Sequence, residues 1–144
     1  MIHNFSKTNS IFNAFIAEMR DVTIQNDSMR FRRNLERIAE IMAYEVSKTL
    51  DFEEKSVETP LGVSEYNALK NQPVLATILR AGLGMHNGLL NYFDRAESAF
   101  VSAYRKHTTA EDFEIYVEYI ASPSLDGKVL IISDPMLATG NSMV

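Results

Sequence analysis

The chain has 144 residues, a length that suits one compact domain, since a chain of this size buries roughly 68–70% of the surface it exposes when unfolded. An apolar share of 46% beside 23% charged residues, with a mean hydropathy of -0.12, excludes both a disordered and a membrane-spanning composition. Fourteen Lys and Arg against nineteen Asp and Glu leave a net charge of -5, so no overall positive field gathers nucleic acid or anionic lipid. Cysteine is absent, which removes disulfides, thiolate nucleophiles, zinc-thiolate sites and Fe–S clusters. Residues Met1 to Phe15 interleave polar groups too often for a secretory apolar region, and no apolar run approaches a membrane span. The expected location is the cytoplasm.

In chain order, Ile11, Phe12, Phe15, Ile16 and Met19 recur at helical spacing, and Phe31, Leu35, Ile38, Met42 and Val46 form a second, longer stripe. Both predict amphipathic helices, the second capped by Ser28 or Asp27. After Thr59-Pro60-Leu61-Gly62 the pattern changes to short apolar runs at Val74–Leu79, Phe100–Tyr104 and Val129–Ile132, which read as buried strands. Met85 to Phe93 is helical between the first two, so strand, helix, strand predicts a crossover unit of a parallel sheet. Phe113 to Ile120 alternates, with Glu114 and Glu118 on one side and Phe113, Ile115, Val117 and Tyr119 on the other. That predicts a strand with one wet face, antiparallel to Phe100–Tyr104 across the polar loop from Lys106 to Asp112.

The stretch from Val129 to Ser142 carries the chemistry. An apolar strand delivers Asp134 at its carboxyl end, where open α/β sheets place ligands, and the turn that follows holds small and hydroxyl residues whose amides can converge on an anion. Thr139 and Ser142 can donate to phosphate oxygens, and Gly140 lets the backbone approach closely. Asp134 only accepts hydrogen bonds when ionised, so it suits a pair of sugar hydroxyls rather than phosphate. The side chains of Met136 and Leu137 read as packing residues of that loop. Arg80 directly follows an apolar strand and precedes Ala81-Gly82, placing a bidentate donor beside permissive backbone, as pyrophosphate binding requires.

A phosphate cradle beside a hydroxyl-seeking carboxylate describes a sugar phosphate site. Asp134-Pro135-Met136-Leu137-Ala138-Thr139-Gly140 resembles the phosphoribosyl pyrophosphate (PRPP) motif of type I phosphoribosyltransferases, in the version of the uracil phosphoribosyltransferases, which carry Pro where most relatives have a second acid. Phe31-Arg32-Arg33, Ile78 to Met85 and Tyr104-Arg105 agree with the same family. The resemblance implies an α/β, parallel-sheet type I phosphoribosyltransferase fold over residues 1–144, with N-terminal helices in 1–50, a partial core in 51–144 and a β-hairpin flap. It assigns PRPP to Arg80, Ala81, Gly82 and Arg105, and to the run Asp134, Pro135, Met136, Leu137, Ala138, Thr139, Gly140, Asn141 and Ser142. Catalysis would fall on Arg80, Arg105 and Asp134, with Arg105 clamping pyrophosphate on a flap that closes over the site.

The implied reaction is uracil plus PRPP giving uridine monophosphate and pyrophosphate, with Mg²⁺ carried on PRPP rather than held by the protein. His3, His86 and His107 lack ligand spacing, in keeping with that. Family members continue beyond the position of Val144 with further strands and a loop that recognises uracil. The chain is therefore expected to be incomplete at its C-terminus and inactive alone. Its full-length form is expected to be a homo-oligomer, a dimer or larger.

Two other readings compete. Gly82-x-Gly84-x-x-x-Gly88 suggests a dinucleotide turn, but the spacing is one residue too long and the acid about 20 residues later is missing. Arg30, Arg33 and Arg37 share one side of the long helix, with Arg32 turned away, as a solvated or ion-paired face beside Glu36 and Glu40. The same cluster is the support for a non-catalytic alternative, a PRPP-sensing or RNA-binding regulator of the same fold.

Overall fold

The computed structural model describes residues 2–107 and 113–136. Helix α1 spans Ile11–Arg20 and α2 spans Ser28–Ser47. Asp27 is the cap: its side chain accepts the backbone N–H groups of Met29 and Arg30 at 3.1 and 3.0 Å, and Ser28 is already helical. The two helices are strapped together by Glu18, which accepts from the buried Asn34 at 2.7 Å and from Arg30 at 3.2 Å.

Strands β1 (Phe52–Thr59) and β2 (Gly62–Leu69) form an antiparallel two-stranded sheet, and Thr59-Pro60-Leu61-Gly62 is its turn. This corrects the expectation that strands begin only after Gly62. Charged and apolar residues mix on both faces of this hairpin, most of them exposed, so neither an apolar run nor a clean alternation marks it. Gly62 takes φ +128, and Thr59 Oγ1 donates to the Gly62 carbonyl at 2.6 Å, closing the turn.

The second sheet has the order β5-β4-β3-β6, built from β3 (Val74–Leu79), β4 (Glu97–His107), β5 (Phe113–Ala121) and β6 (Leu130–Ser133). Helix α3 (Leu83–Leu90) connects β3 to its parallel neighbour β4, so the expected crossover unit is present. β6 also pairs with β3 in parallel, while β5 pairs with β4 antiparallel. One face of the sheet is covered by α2 and α3 through Leu35, Ala39, Ala43, Leu75, Met85, Leu89 and Phe93. Gly84 and Gly88 let these helices meet. A Cβ at Gly88 would fall on the Glu36 carbonyl and lie 2.8 Å from Ala39 Cβ, and one at Gly84 would lie 3.3 Å from Leu35 Cβ.

Burial is less complete than the sequence suggests outside β3. β6 lies at a sheet edge, with Leu130 37% and Ile132 47% exposed, so it is not a buried strand. On β5, Tyr119 is 57% and Ile120 63% exposed, so the expected dry face fails at Tyr119. Among the described residues no helix is long and apolar enough to cross a membrane.

Candidate functional site

Arg80 and Asp134 leave the sheet from adjacent strand ends. The β3–β6 ladder closes at Thr77 opposite Ser133, one residue before Asp134, while β3 runs on beside β4 until Leu79 pairs with Ser102. Two neighbouring parallel strands thus release their loops at their carboxyl ends, the place where open α/β sheets take ligands.

The loop after β3 turns at once into α3. The Leu79–Arg80 peptide is cis, Gly82 N–H donates to the Ile78 carbonyl at 3.0 Å, and His86 N–H donates to the Gly82 carbonyl at 2.9 Å. Arg80 and Ala81 are exposed and Gly82 is buried. A Cβ on Gly82 would stand 3.0 Å from the Ile78 carbonyl and 3.1 Å from that of Ser133, so glycine lets this loop lie on the end of β6. In the loop after β6, Asp134 is half-buried, and its Oδ1 accepts the Met136 N–H at 3.0 Å. One carboxylate oxygen thus shapes the turn.

These loops share a cleft of about 620 Å³ with the start of α2. Arg80, Ala81, Pro135 and Met136 line it together with Arg32 and Arg33, over apolar walls from Phe31, Leu35 and Leu83. Exposed guanidinium groups over an apolar wall can hold an anion; Asp134 is not part of the lining and sits one residue before Pro135, which is. Met136 is 76% exposed, so its expected packing role does not hold: it stands at the cleft edge. Leu137, Ala138, Thr139, Gly140, Asn141 and Ser142 lie outside the described residues.

Arg105 is corrected in its placement. It does not begin a loop; β4 continues through it to His107, with Arg105 opposite Ile115, Lys106 opposite Glu114 and His107 opposite Phe113. A register shift between Ser102 and Ala103 leaves Glu118 unpaired on β5 at the level where β3 ends. Arg105 lies three positions beyond Ser102, about 10 Å along the strand, on the side where Arg80 emerges.

Arg30, Arg33 and Arg37 do share a side, around a hollow of about 210 Å³, while Arg32 faces the larger cleft. Each has a partner: Arg30 pairs with Glu18 at 3.2 Å, Arg33 with Glu36 at 2.6 Å, and Arg37 sits 5.2 Å from the centre of the Phe15 ring. The cluster is an ion-paired and stacked face. Gly84 and Gly88 turn toward α2 and serve helix packing.

The sequence reading missed Thr77 and Ser133, whose side-chain oxygens lie 2.5 Å apart in the buried end of the β3–β6 ladder. Their signal was a hydroxyl residue inside each of two apolar runs. Among the described residues no three His, Cys, Asp or Glu side chains converge as a metal cage. Asp134, a single carboxylate, fits a cation that keeps most of its shell as water and ligand oxygens.

Comparison with known proteins gives a consistent picture. The family model described as uracil phosphoribosyltransferase matches residues 6–144. A uracil phosphoribosyltransferase from Porphyromonas gingivalis is 61% identical over 134 residues, covering 93% of this chain and 62% of that protein. One from Methanothermobacter thermautotrophicus is 41% identical over 120 residues, covering 82% and 55% respectively. The solved structure of the AQ2163 protein from Aquifex aeolicus superposes with a TM-score of 0.80 at 29% identity, covering 94% of this chain and 64% of that one. The chain spans between 55% and 62% of the length of these two curated relatives.

Proposed function

Because the chain belongs to the uracil phosphoribosyltransferase family, we propose that residues 1–144 form one phosphoribosyltransferase domain serving the transfer of phosphoribosyl from PRPP to uracil. In that reaction the bond between the anomeric carbon and pyrophosphate breaks, a bond to a uracil ring nitrogen forms, and that nitrogen's proton is released. The observation that carries the reading is that the loops bearing Arg80 and Asp134 leave neighbouring parallel strands, with Arg80, Ala81, Pro135 and Met136 lining one open cleft.

Arg80, with the amide of Ala81 and the close backbone approach that Gly82 allows, holds pyrophosphate and stabilises the charge that grows on it as the bond breaks. Asp134 accepts the ribose hydroxyls and fixes the sugar, and 5′-phosphate binding falls to the run from Pro135 to Ser142 by likeness to the family motif. Arg105, on the β4–β5 hairpin, is the family's second pyrophosphate residue. Asp134 would support the water shell of a Mg²⁺ ion carried on PRPP, and that ion would supply charge neutralisation at the leaving group. No protein nucleophile is required. The functional form is a homo-oligomer in the cytoplasm.

The test has two arms. Calorimetry with PRPP and Mg²⁺ should show saturable binding to the chain that is lost in Arg80→Ala. Joined to the remaining carboxyl-terminal part of the P. gingivalis relative, the chain should form uridine monophosphate from uracil. A product from a purine base, or none at all, would refute the assignment.

A further inference from the structure

The fork between β3 and β6 contains a buried hydroxyl pair that the proposed chemistry does not use. Thr77 is fully buried and Ser133 is 4% exposed. Their oxygens are 2.5 Å apart, and Ser133 Oγ also donates to the Ala76 carbonyl at 3.3 Å. Either hydroxyl can donate in the short bond; when Thr77 does, the Ser133 proton is left for the Ala76 carbonyl. The result is a relay that leaves β3, crosses to β6 and returns to β3. Burying two hydroxyls in an apolar strand pair carries a desolvation cost that Val or Ala would avoid, and backbone pairing alone already sets the register.

Position supplies the reason. Thr77 and Ser133 form the last rung of the β3–β6 ladder; the next residue on one strand is Asp134, and the third on the other is Arg80. The Arg80 loop then folds back over that rung. A Cβ at Gly82 would stand 3.1 Å from the Ser133 carbonyl and 3.3 Å from Thr77 Cγ2. Both loops therefore rest on the two residues that carry the hydroxyl pair, one by chain continuity and the other by packing on the Ser133 carbonyl and the Thr77 methyl. We infer that Thr77 and Ser133 are positioning residues: their bond locks the fork between β3 and β6 and fixes the Arg80 loop relative to Asp134. The ligand part of this inference rests on the proposed PRPP site; the lock itself does not.

The experiment compares the unaltered chain with Thr77→Val, Thr77→Ser and Ser133→Ala. Amide hydrogen exchange is read at Gly82, bonded to Ile78, and at Met136, bonded to Asp134, and PRPP binding with Mg²⁺ is read by calorimetry. Thr77→Val and Ser133→Ala should speed exchange at both amides about tenfold, while the paired amides of β3 and β4 keep their protection. Thr77→Ser restores the hydroxyl and should restore slow exchange, and PRPP affinity should follow the same order. A uniform rise across all amides, or Thr77→Ser behaving as Thr77→Val, overturns the lock. Loosened loops with unchanged PRPP affinity overturn the positioning role. If the unaltered chain does not bind PRPP, the functional assignment and the positioning role fall together, while exchange still decides the lock.

Discussion

Gly88 in α3 rests directly on the main-chain carbonyl of Glu36 in α2, with no room between them for a β-carbon. Because the obstruction is backbone and Ala39 lies beside it, a side-chain rotation cannot relieve it. Gly88→Ala should destabilise the fold by about 1–3 kcal/mol, the range for overpacked interiors. Gly84→Ala, facing the Leu35 side chain at 3.3 Å, should cost less. Urea midpoints for the two variants check the order.

Asp134 accepts the Met136 N–H with one oxygen, and the proposed site gives the ribose hydroxyls to the other. In Asp134→Asn the amide oxygen can still accept the Met136 N–H, so the turn persists while the charge is lost; in Asp134→Ala both go. PRPP affinity should fall at least about tenfold in each, with Ala the worse, while the melting temperature drops only for Ala. Equal losses of stability in the two variants would count against the division.

Arg80 is exposed, so its replacement should leave stability within about 0.5 kcal/mol. Arg80→Lys keeps the charge and loses the planar fork, and should still weaken PRPP binding about tenfold or more if the contact is bidentate. Calorimetry on Arg80→Lys and Arg80→Ala separates charge from geometry.

His86 supplies a pH signature. It is 3% exposed, packs against Phe100 with ring centres 4.9 Å apart and the planes tilted by 51°, and shares a hydrogen bond of 3.1 Å with Ser98. Burial lowers its pKa below the ordinary imidazole value of 6.5, so the unfolded chain takes up a proton that the folded chain resists. Its contribution is complete above that value and is lost as pH falls below it. The melting temperature should decline between about pH 7 and 5.5, and His86→Gln should flatten that slope. Glu18, lowered chiefly by the Asn34 hydrogen bond, and Asp21, lowered by Thr23, act in a separate window: their contributions are present above the ordinary carboxylate values of 4.5 and 3.8 and are lost at more acid pH.

Asp27 caps α2 through two backbone amides. Asp27→Ala should cost about 1 kcal/mol, and Asp27→Asn less, because the amide oxygen still accepts. Thermal melts of both variants give the comparison.

The elements legible in the sequence are those whose burial is one-sided or complete. α2 announces itself because Leu35, Ile38 and Met42 repeat at helical spacing, and β3 because it is covered on both faces. The β1–β2 hairpin was not legible, since a sheet with little packed against it imposes no binary pattern on residues such as Glu54, Tyr66 and Val63. Arg80 and Asp134 could be found because their neighbours, Ala81-Gly82 and Pro135, restrict what a loop can do. Thr77 and Ser133 were not found, because a contact between residues 56 positions apart depends on which strands become neighbours. The continuation of β4 through Arg105 was missed for a related reason: polar residues in a ladder look like a loop until the partner strand is known.

The β1–β2 hairpin joins the body through its base, where Leu69 packs against the main cluster and Lys70 N–H reaches the Asp51 carbonyl at 2.9 Å. Its tip, with Leu61 fully exposed and Val63 76% exposed, shares none of the energy that holds α2 and α3 to the sheet. A two-stranded sheet of this kind is marginal when left to itself. The molecule therefore has two cooperative units of unequal strength, and a protease should nick the arm near Leu61 well before the body melts.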